Sequence, residues 1–171
     1  MTDAYKIHSM VDNMSTITDP SELNDLPFFQ VREGAKLPTK AYEDDVGYDL
    51  YCTESSIPWD KNGEVVLSRG EVVLFYTGLA TVIPPGHGGF FKERSGLGKK
   101  GVAVRGGVID PQYRGELVVM LCNTSNVPVV IKEGDRVAQL VIQKVCNFRP
   151  VFAAQLPDSK RGQNGFGSSG A

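Results

Sequence analysis

The stretch Glu64-Val65-Val66-Leu67-Ser68-Arg69-Gly70-Glu71-Val72-Val73-Leu74-Phe75-Tyr76 holds two short apolar runs separated by a polar turn. β-Branched and aromatic residues dominate both runs and favour strands, and each run is too short for a helix. Gly70 suits the turn because glycine adopts positive φ angles at no steric cost. The stretch therefore predicts strands at 64–67 and 71–76 joined as a hairpin, and residues 61–63 predict a second hairpin turn.

Runs of the same kind recur along the chain from Phe28 onward, with turn residues between them. The other predicted strands are 46–52, 79–83, 89–92, 102–104, 116–122, 127–131 and 137–145. Short strands at this spacing are typical of a β-sandwich or barrel. Only residues 95–100 could hold a helical turn, and two glycines keep it short. The chain is therefore predicted to be all-β.

With 171 residues and 41% apolar content, the chain has room for one domain with a real core. Residues 1–26 hold five acids and one lysine, so they carry −4 of a net charge of −2 and leave +2 for the rest. We predict a disordered leader over 1–26, a domain over 27–160 and a C-terminal arm over 161–171. The arm places Arg161 and Phe166 among glycines, so it is expected to stay mobile until a nucleotide orders it.

The charge and residue counts exclude several kinds of protein. A folded part that is only mildly basic suits local anion sites and gives no stripe for a DNA duplex, so direct nucleic-acid binding is not expected. No apolar run approaches the ~20 residues that span a bilayer, and no signal segment begins the chain, which favours a soluble protein in the cytoplasm or nucleus. Three cysteines without C-x-x-C spacing are interpreted as buried free thiols, namely Cys52, Cys122 and Cys146.

Two segments carry charges or glycines where a plain sandwich needs neither. Residues 41–50 lead an acidic loop into a strand in which Asp49 has apolar neighbours. The loop needs no special role, but a carboxylate at position 49 needs a cation or hydrogen-bond donors. Residues 93–100 place Arg94 and Ser95 before glycines whose N–H groups could approach an anion. The second segment is either a phosphate cradle or a basic turn, and it is no Walker loop.

A third segment, residues 101–116, combines glycines with an acid at the end of an apolar run. Its first half predicts a hairpin whose backbone could read the edge of a flat ligand. Asp110 precedes Pro111, and Asp-Pro often only opens a turn. Alternatively, a strand-end carboxylate in a dry pocket is suited to take a proton from water, a step worth about 10²–10⁴-fold in rate.

A fourth segment, residues 134–141, is a turn that feeds a strand and holds Gln139 among apolar neighbours. A salt bridge of Arg136 and a hydrogen-bonded Gln139 would explain it structurally, and a ligand site would explain it equally well. With only His8 and His87 in the chain, and no partner near either, catalysis is expected to use carboxylates or a metal.

Together with the arm, and in this order, the segments resemble the five motifs of the trimeric dUTPase family, the deoxyuridine triphosphate nucleotidohydrolases, over residues 28–171. The resemblance is carried by Arg94-Ser95-Gly96-Leu97, Gly107-Val108-Ile109-Asp110, Tyr113-Arg114-Gly115, Gly134-Asp135-Arg136-Val137-Ala138-Gln139-Leu140 and Gly165-Phe166-Gly167-Ser168. Each piece alone is a weak signal. The resemblance implies a jelly-roll-like β-barrel and a homotrimer whose active sites are each built from three chains.

The resemblance also implies hydrolysis of dUTP to dUMP and pyrophosphate, which keeps uracil out of DNA and supplies dUMP for dTMP synthesis. Asp110 would be the general base that activates water for attack on the α-phosphorus. Mg²⁺ would bridge the three phosphates, with Asp49 holding the ion through its water shell. The residues implied to bind the nucleotide are Arg94, Ser95, Gly96, Val104, Gly107, Val108, Ile109, Tyr113, Gln139, Arg161, Phe166 and Gly167.

Within that set, the resemblance gives each part of the nucleotide to different residues. Arg161 would clamp the γ-phosphate and Phe166 would cover the uracil, so the arm must close over the site. Backbone groups of 104–110 would pair with the uracil edge in a slot too narrow for the thymine methyl. Tyr113 would lie against the deoxyribose and exclude a 2′-hydroxyl.

Some positions depart from the family pattern, namely Val46, Glu93, Arg105 and Asn164. Glu93 stands where the family usually has proline, and a carboxylate there repels a triphosphate unless it points away or pairs with Lys92 or Arg94. Three rival functions stay open. They are a dCTP deaminase, which shares the fold but uses a Glu base and releases ammonia, a nucleotide-gated regulator that binds a partner through the leader or the 59–64 loop, and a β-domain without activity. Asp110 with Tyr113 favours phosphate chemistry over deamination.

Overall fold

The computed structural model describes residues 19–22 and 25–163. Its strands are β1 Phe28–Gln30, β2 Tyr48–Tyr51, β3 Glu54–Ser55, β4 Glu64–Leu67, β5 Val72–Tyr76, β6 Leu79–Thr81, β7 His87–Lys92, β8 Val102–Arg105, β9 Val108–Ile109, β10 Val118–Asn123, β11 Val129–Lys132 and β12 Arg136–Lys144. One turn of α-helix, α1, spans Ser95–Gly98, and one turn of 3-10 helix spans Pro20–Glu22. The all-β prediction is confirmed, and α1 lies within the predicted 95–100, whereas the 3-10 turn at Pro20–Glu22 was not predicted.

Two four-stranded antiparallel sheets form the body of the fold. Their strand orders are β3-β5-β10-β8 and β2-β12-β7-β9, and the two-stranded pairs β1-β6 and β11-β4 complete the structure. One apolar core includes side chains from both larger sheets, among them Leu50, Phe75, Phe91, Leu121 and Leu140. Burying side chains of this size contributes about 1.5–3 kcal/mol each, so this core is what fixes the strands and hence the positions of the polar groups on them.

Both predicted hairpin turns are wrong as hairpins, although their glycines behave as expected. Gly63 and Gly70 have φ angles of 71° and 76°, so each occupies the left-handed region that favours glycine. β4 pairs with β11, however, and β5 pairs with β3 and β10. The turns therefore carry the chain from one sheet to another, because turn residues set the local backbone while strand partners are chosen by burial elsewhere in the sequence.

Of the three thiols, two match the prediction. Cys52 and Cys122 are buried, whereas Cys146 is exposed because it follows the end of β12. Burial raises the pKa of the Cys52 thiol from 9.0 to about 11. Such a thiol is inert at neutral pH, as expected for a core residue.

The predicted leader is described only in part. Residues 20–22 make the 3-10 turn, and Leu26 packs against the core. His8 and the rest of the first eighteen residues lie outside the described residues. In the described part of the chain, no helix is long and apolar enough to cross a membrane.

Candidate active site

Strand pairing brings three of the polar residues into one row across a sheet. Asp49 on β2 lies opposite Gln139 on β12, and Gln139 lies opposite Lys92 on β7. Directly opposite residues share one face of an antiparallel sheet, so the row presents all three side chains on the same side. Residues from two of the predicted segments therefore meet here, although about 90 positions of sequence separate them.

A β-bulge adds a guanidinium to this face. Gln139 and Ala138 pair with Asp49 and Leu50, but Arg136 pairs with Tyr51, so one extra residue lies between Arg136 and Ala138. In a strand without a bulge, Arg136 and Ala138 are two positions apart and would share one face, which is the core side. The bulge instead turns Arg136 to the face that carries Asp49.

The Asp49 carboxylate lies between two guanidinium groups. It is 4% exposed and accepts hydrogen bonds from Arg94 Nε at 2.8 Å, Arg94 Nη2 at 3.3 Å and Arg136 Nη1 at 3.0 Å. A buried carboxylate is stable only with such partners, so the need for a cation inferred from the sequence is met by two arginines. Together, Asp49, Arg94 and Arg136 form a cluster with one net positive charge.

Solvent reaches the cluster from the arginine side. The side chains of Arg94 and Arg136 keep 25% and 45% of their exposure, whereas that of Asp49 keeps 6%. The surface of the cluster is therefore cationic, and its anion is beneath. Such a surface attracts phosphate oxygens without any rearrangement of the backbone.

The helical turn α1, which follows Arg94 directly, has free space beside its backbone. The Arg94 carbonyl accepts from the N–H groups of Leu97 and Gly98 at 3.0 and 2.8 Å, which closes the single turn of α1. A Cβ built on Gly96 would meet no atom within 4 Å, and Ser95 is exposed. The chain itself thus leaves free space over Gly96, which an anion could use for close approach to the backbone.

The Gln139 side chain packs directly against the backbone of Gly47, which belongs to the acidic segment 41–50. A Cβ on Gly47 would lie 2.9 Å from the Cβ of Gln139 and 3.2 Å from its Cδ. Only glycine allows β2 to begin this close to the Gln139 side chain. The acidic residues before it serve the loop itself, since Asp45 accepts from the N–H groups of Ala41 and Tyr42.

Asp110 and Tyr113 lie at the two ends of one turn. The Asp110 carbonyl accepts from the Tyr113 N–H at 3.0 Å, and the Tyr113 hydroxyl donates to the Glu116 carbonyl at 2.9 Å. A Cβ on Gly115 would lie 2.5 Å from that hydroxyl oxygen, so the ring position requires glycine there. Asp110 is exposed, and the dry pocket expected for it is not formed within one chain.

This turn is anchored by residues that the sequence did not reveal as important. Glu116 is 7% exposed and accepts from Arg32 Nε and from the Gly78 N–H, each at 2.8 Å. Hydrogen bonding to Glu116 raises the pKa of Arg32, despite the opposing effect of burial. Arg32 also pairs with Glu54. A signal for Glu116 was present, since it directly precedes the apolar run 117–121.

The segment 104–110 does not form the predicted hairpin. β8 pairs with β10 and β9 pairs with β7, so the two strands belong to different sheets. Gly106 and Gly107, with φ angles of 67° and 92°, make the crossing between them. The Gly107 carbonyl accepts from the Phe91 N–H at 2.8 Å, which ties the crossing to β7. Val104 and Val108 therefore lie on either side of a sheet-to-sheet connection.

Within one chain, the Asp110 turn and the cluster do not meet. Ile109, just before Asp110, pairs with Gly89, three positions along β7 from Lys92 in the row of Asp49. That offset is about 10 Å along the strands, and the three strand spacings from β2 to β9 add about 14 Å across the sheet. The Asp110 carboxylate and the guanidinium groups that bind Asp49 are therefore too far apart in one chain to act on the same phosphorus atom.

Comparison with known proteins decides the family. The dUTPase family pattern matches residues 33–170, and a deoxyuridine 5'-triphosphate nucleotidohydrolase of Nocardia farcinica is 40% identical over 154 residues, 88% of each chain. The chain belongs to the dUTPase family. A mutant dUTPase of Staphylococcus bacteriophage 80alpha with dUpNHpp has a TM-score of 0.74 at 26% identity, covering 87% of this chain and 100% of that one. The jelly-roll-like β fold is thereby confirmed, and the chain is a member of a hydrolase family rather than a deaminase family.

A second solved relative carries a metal. A mutant dUTPase from phage phi11 of S. aureus, with a TM-score of 0.67 and 25% identity over 79% of this chain and 100% of that one, was described for its coordination of a structural Mg(II) ion. Among the described residues of the present chain, no three acidic, histidine or cysteine side chains cluster as a metal site. Asp49 already accepts three hydrogen bonds from cations. The donor set therefore fits an ion that arrives with phosphate oxygens and keeps its waters, and it does not fit one held by the protein alone.

The last predicted site residues belong to the arm. Arg161 is exposed at the end of the described chain, and Phe166 and Gly167 lie outside the described residues. The roles predicted for all three stay predictions.

Proposed function

We propose that this dUTPase family member hydrolyses dUTP to dUMP and pyrophosphate, which limits uracil in DNA and supplies dUMP. The observation that carries the proposal is the cationic cluster at Asp49, already assembled in the free chain beside an open glycine turn. Arg94 and Ser95, with the N–H groups around Gly96, would bind the phosphate chain, and Gln139 would lie beside its oxygens.

Asp110 is the proposed general base. Its side chain is exposed at the end of β9, where it could reach a water molecule that a bound nucleotide holds in place. Water would attack the α-phosphorus, its proton would pass to the Asp110 carboxylate, and the bond from the α-phosphorus to the bridging oxygen would break, releasing pyrophosphate. Tyr113, fixed at the other end of the same turn, would lie against the deoxyribose.

The proposed assembly is a homotrimer in which Asp110 of one chain faces the cluster of another. The separation of these two regions within one chain supports this. So does an extended C-terminal stretch with exposed apolar side chains, including Phe148 at 83%, Val151 at 71% and Leu156 at 83%. Apolar groups in such number need a cover, and another copy of the chain would supply it.

The arm from Arg161 onward is proposed to close over the nucleotide, with Arg161 on the γ-phosphate and Phe166 and Gly167 over the base. Truncation after Lys160 should slow hydrolysis strongly and leave the fold and assembly unchanged. An unchanged rate in the truncated protein would rule out the closing arm.

Mg²⁺ is the proposed cofactor. When bound, it neutralises phosphate charge and holds the three phosphates in one arrangement. Asp49, which keeps about one of four lone-pair positions beyond its three hydrogen bonds, would accept from one water of that ion. An intracellular location stays a prediction, as does any regulatory role of residues 1–26.

The deciding assay is incubation with Mg²⁺ and either dUTP or dCTP, with pyrophosphate and ammonia measured in parallel. The proposal requires stoichiometric pyrophosphate and dUMP and no ammonia. Ammonia from dCTP would support the deaminase, and no product from either nucleotide would leave a binding function.

Sharing of the site between chains is tested by mixing two inactive variants, Asp110→Asn and Arg94→Ala. After co-refolding at equal amounts, about one site in four in a cyclic trimer combines an intact Asp110 with an intact Arg94. About a quarter of the wild-type activity should return. No recovery would show that both residues act from the same chain.

A further inference from the structure

Glu93, the residue that departs most from the family pattern, is bound to a strand edge. It follows β7 directly and its Oε1 accepts from the Val104 N–H at 3.0 Å. Within the described residues it forms no ion pair with either neighbouring cation, Lys92 or Arg94. The carboxylate is therefore turned toward β8 and away from the cationic cluster, which weakens the repulsion expected from the sequence.

The Val104 N–H that Glu93 covers is on the open side of a sheet. β8 is the last strand of its sheet and pairs only with β10, through Leu121 opposite Val104. In an antiparallel strand, the N–H and C=O of one residue point to the same side. The Val104 carbonyl therefore emerges at the same open edge, and no described donor outside the strand ladder reaches it.

We propose that Glu93 is a positioning residue for base selectivity, because it masks the Val104 N–H and leaves the carbonyl as the polar group that Val104 presents to a pyrimidine. The proposal rests on dUTP being the substrate and on residues 104–110 meeting its base.

The chemistry of the two pyrimidines gives the mask its effect. Uracil has an N3–H donor, which a lone backbone carbonyl satisfies. Cytosine has an N3 acceptor, which that carbonyl repels and which an open N–H would satisfy. At the N3 position a covered N–H thus favours uracil in two ways, since it removes a donor that would pair with N3 of cytosine and leaves an acceptor that pairs with N3–H of uracil.

The test compares Glu93→Ala with Glu93→Gln. Alanine opens the Val104 N–H, whereas the glutamine carbonyl oxygen can still accept from it without a charge. Pyrophosphate release is followed with dUTP at increasing dCTP, which gives the KM for dUTP and the inhibition constant of dCTP. We expect Glu93→Ala to lower the inhibition constant of dCTP relative to the KM of dUTP by about tenfold, the usual effect of one exposed hydrogen-bonding group.

Glu93→Gln should keep the wild-type ratio within about threefold, although both constants can fall together once a negative charge near the phosphates is gone. Amide hydrogen exchange at Val104 gives a readout that is independent of turnover. It should be slow in the wild type and in Glu93→Gln and fast in Glu93→Ala.

Two results would overturn the inference. One is an unchanged ratio of the dCTP inhibition constant to the dUTP KM in a folded Glu93→Ala protein. The other is an equal fall of this ratio in Glu93→Ala and Glu93→Gln, which would assign the effect to the lost charge. If the wild type itself released no pyrophosphate from dUTP, the proposed function would fail first and the inference with it.

Discussion

The Asp49 cluster and the Asp110 turn differ in how much of their environment one chain supplies. Asp49 is 4% exposed and accepts three hydrogen bonds from two arginines of its own chain. Asp110 is exposed, and its turn is fixed by backbone bonds and by the buried Glu116 behind it. One region is complete in isolation, and the other is held in place but left open.

The difference teaches that binding and chemistry can have separate structural requirements. A cationic surface for phosphate is useful only if its charges are already oriented, because reorienting them after binding would cost affinity. A general base needs a water molecule whose proton it can take, so it must stay accessible until substrate binds.

The largest expected effect is on the open region. Asp110→Asn removes the proposed proton acceptor and keeps the shape of the turn, so kcat for pyrophosphate release should fall by about 10²–10⁴-fold while dUTP still binds. Asp44→Asn, in the exposed acidic loop, serves as the control and should retain activity. Wild-type kcat in Asp110→Asn would show that the base lies elsewhere.

The enclosed region should respond in stability as well as activity. Asp49→Asn leaves two guanidinium groups without their anion, and the free energy of unfolding should fall by about 3 kcal/mol, the low end for a buried pair because both arginines keep solvent contact. Denaturant titration at one protein concentration measures it. The ion pair of exposed Lys132 with half-buried Glu64 gives the control, because Glu64→Gln should cost much less than Asp49→Asn. Equal losses would mean that the cluster is not a buried element.

Gly115 and Gly96 differ in whether the chain itself fills the space beside them, which separates a packing role from a role in ligand approach. Gly115→Ala should displace the Tyr113 ring and reduce discrimination of dUTP against UTP about tenfold, since its Cβ would overlap the tyrosine hydroxyl. Gly96→Ala meets nothing in the chain. It should leave the melting temperature unchanged and raise the KM for dUTP. Competition between the two nucleotides, with thermal melting of both variants, separates the effects, and a lowered melting temperature in Gly96→Ala would contradict the open space.

The smallest effect concerns the core that supports the cluster. The Cys52 thiol has a pKa of about 11 when folded against 9.0 unfolded, so its contribution to stability is complete below about pH 9 and is lost between pH 9 and 11. Iodoacetamide at pH 8 should modify exposed Cys146 and spare Cys52 and Cys122. Denatured protein, with all three modified, is the control. Rapid labelling of Cys52 at pH 8 would show that the core opens.

Much of the fold was predictable from the sequence because the strands are local features. Short β-branched runs bounded by turn residues located each of the strands expected from them, and only two-residue or three-residue strands such as Glu54–Ser55 and Val108–Ile109 escaped. Strand partners did not follow from the same signals. The turn at Gly70 had correct chemistry and the wrong consequence, since pairing depends on residues far along the chain.

The candidate site was predictable in its residue types and less so in its contacts. Asp49 needed a cation and Arg136 needed an anion on sequence grounds alone, yet the sequence could not show that they bind each other across 87 positions. Nor could it show that Glu93 turns to Val104. A polar group's need for a partner can be read from its neighbours, whereas the identity of that partner is set by strand register.

The bulge between Arg136 and Ala138 lets Val137 and Ala138 both face the core while Arg136 stays on the face of Asp49. Loss of Val137 would restore regular pairing with Arg136 still on the face of Asp49, but it would remove a fully buried side chain from the core, so such deletions should be purged from functional descendants of this chain. The turn at 61–63 lies outside the strands and is largely exposed. It should therefore tolerate length changes between descendants. Natural gaps in this protein's lineage should therefore gather at residues 61–63 and avoid β12.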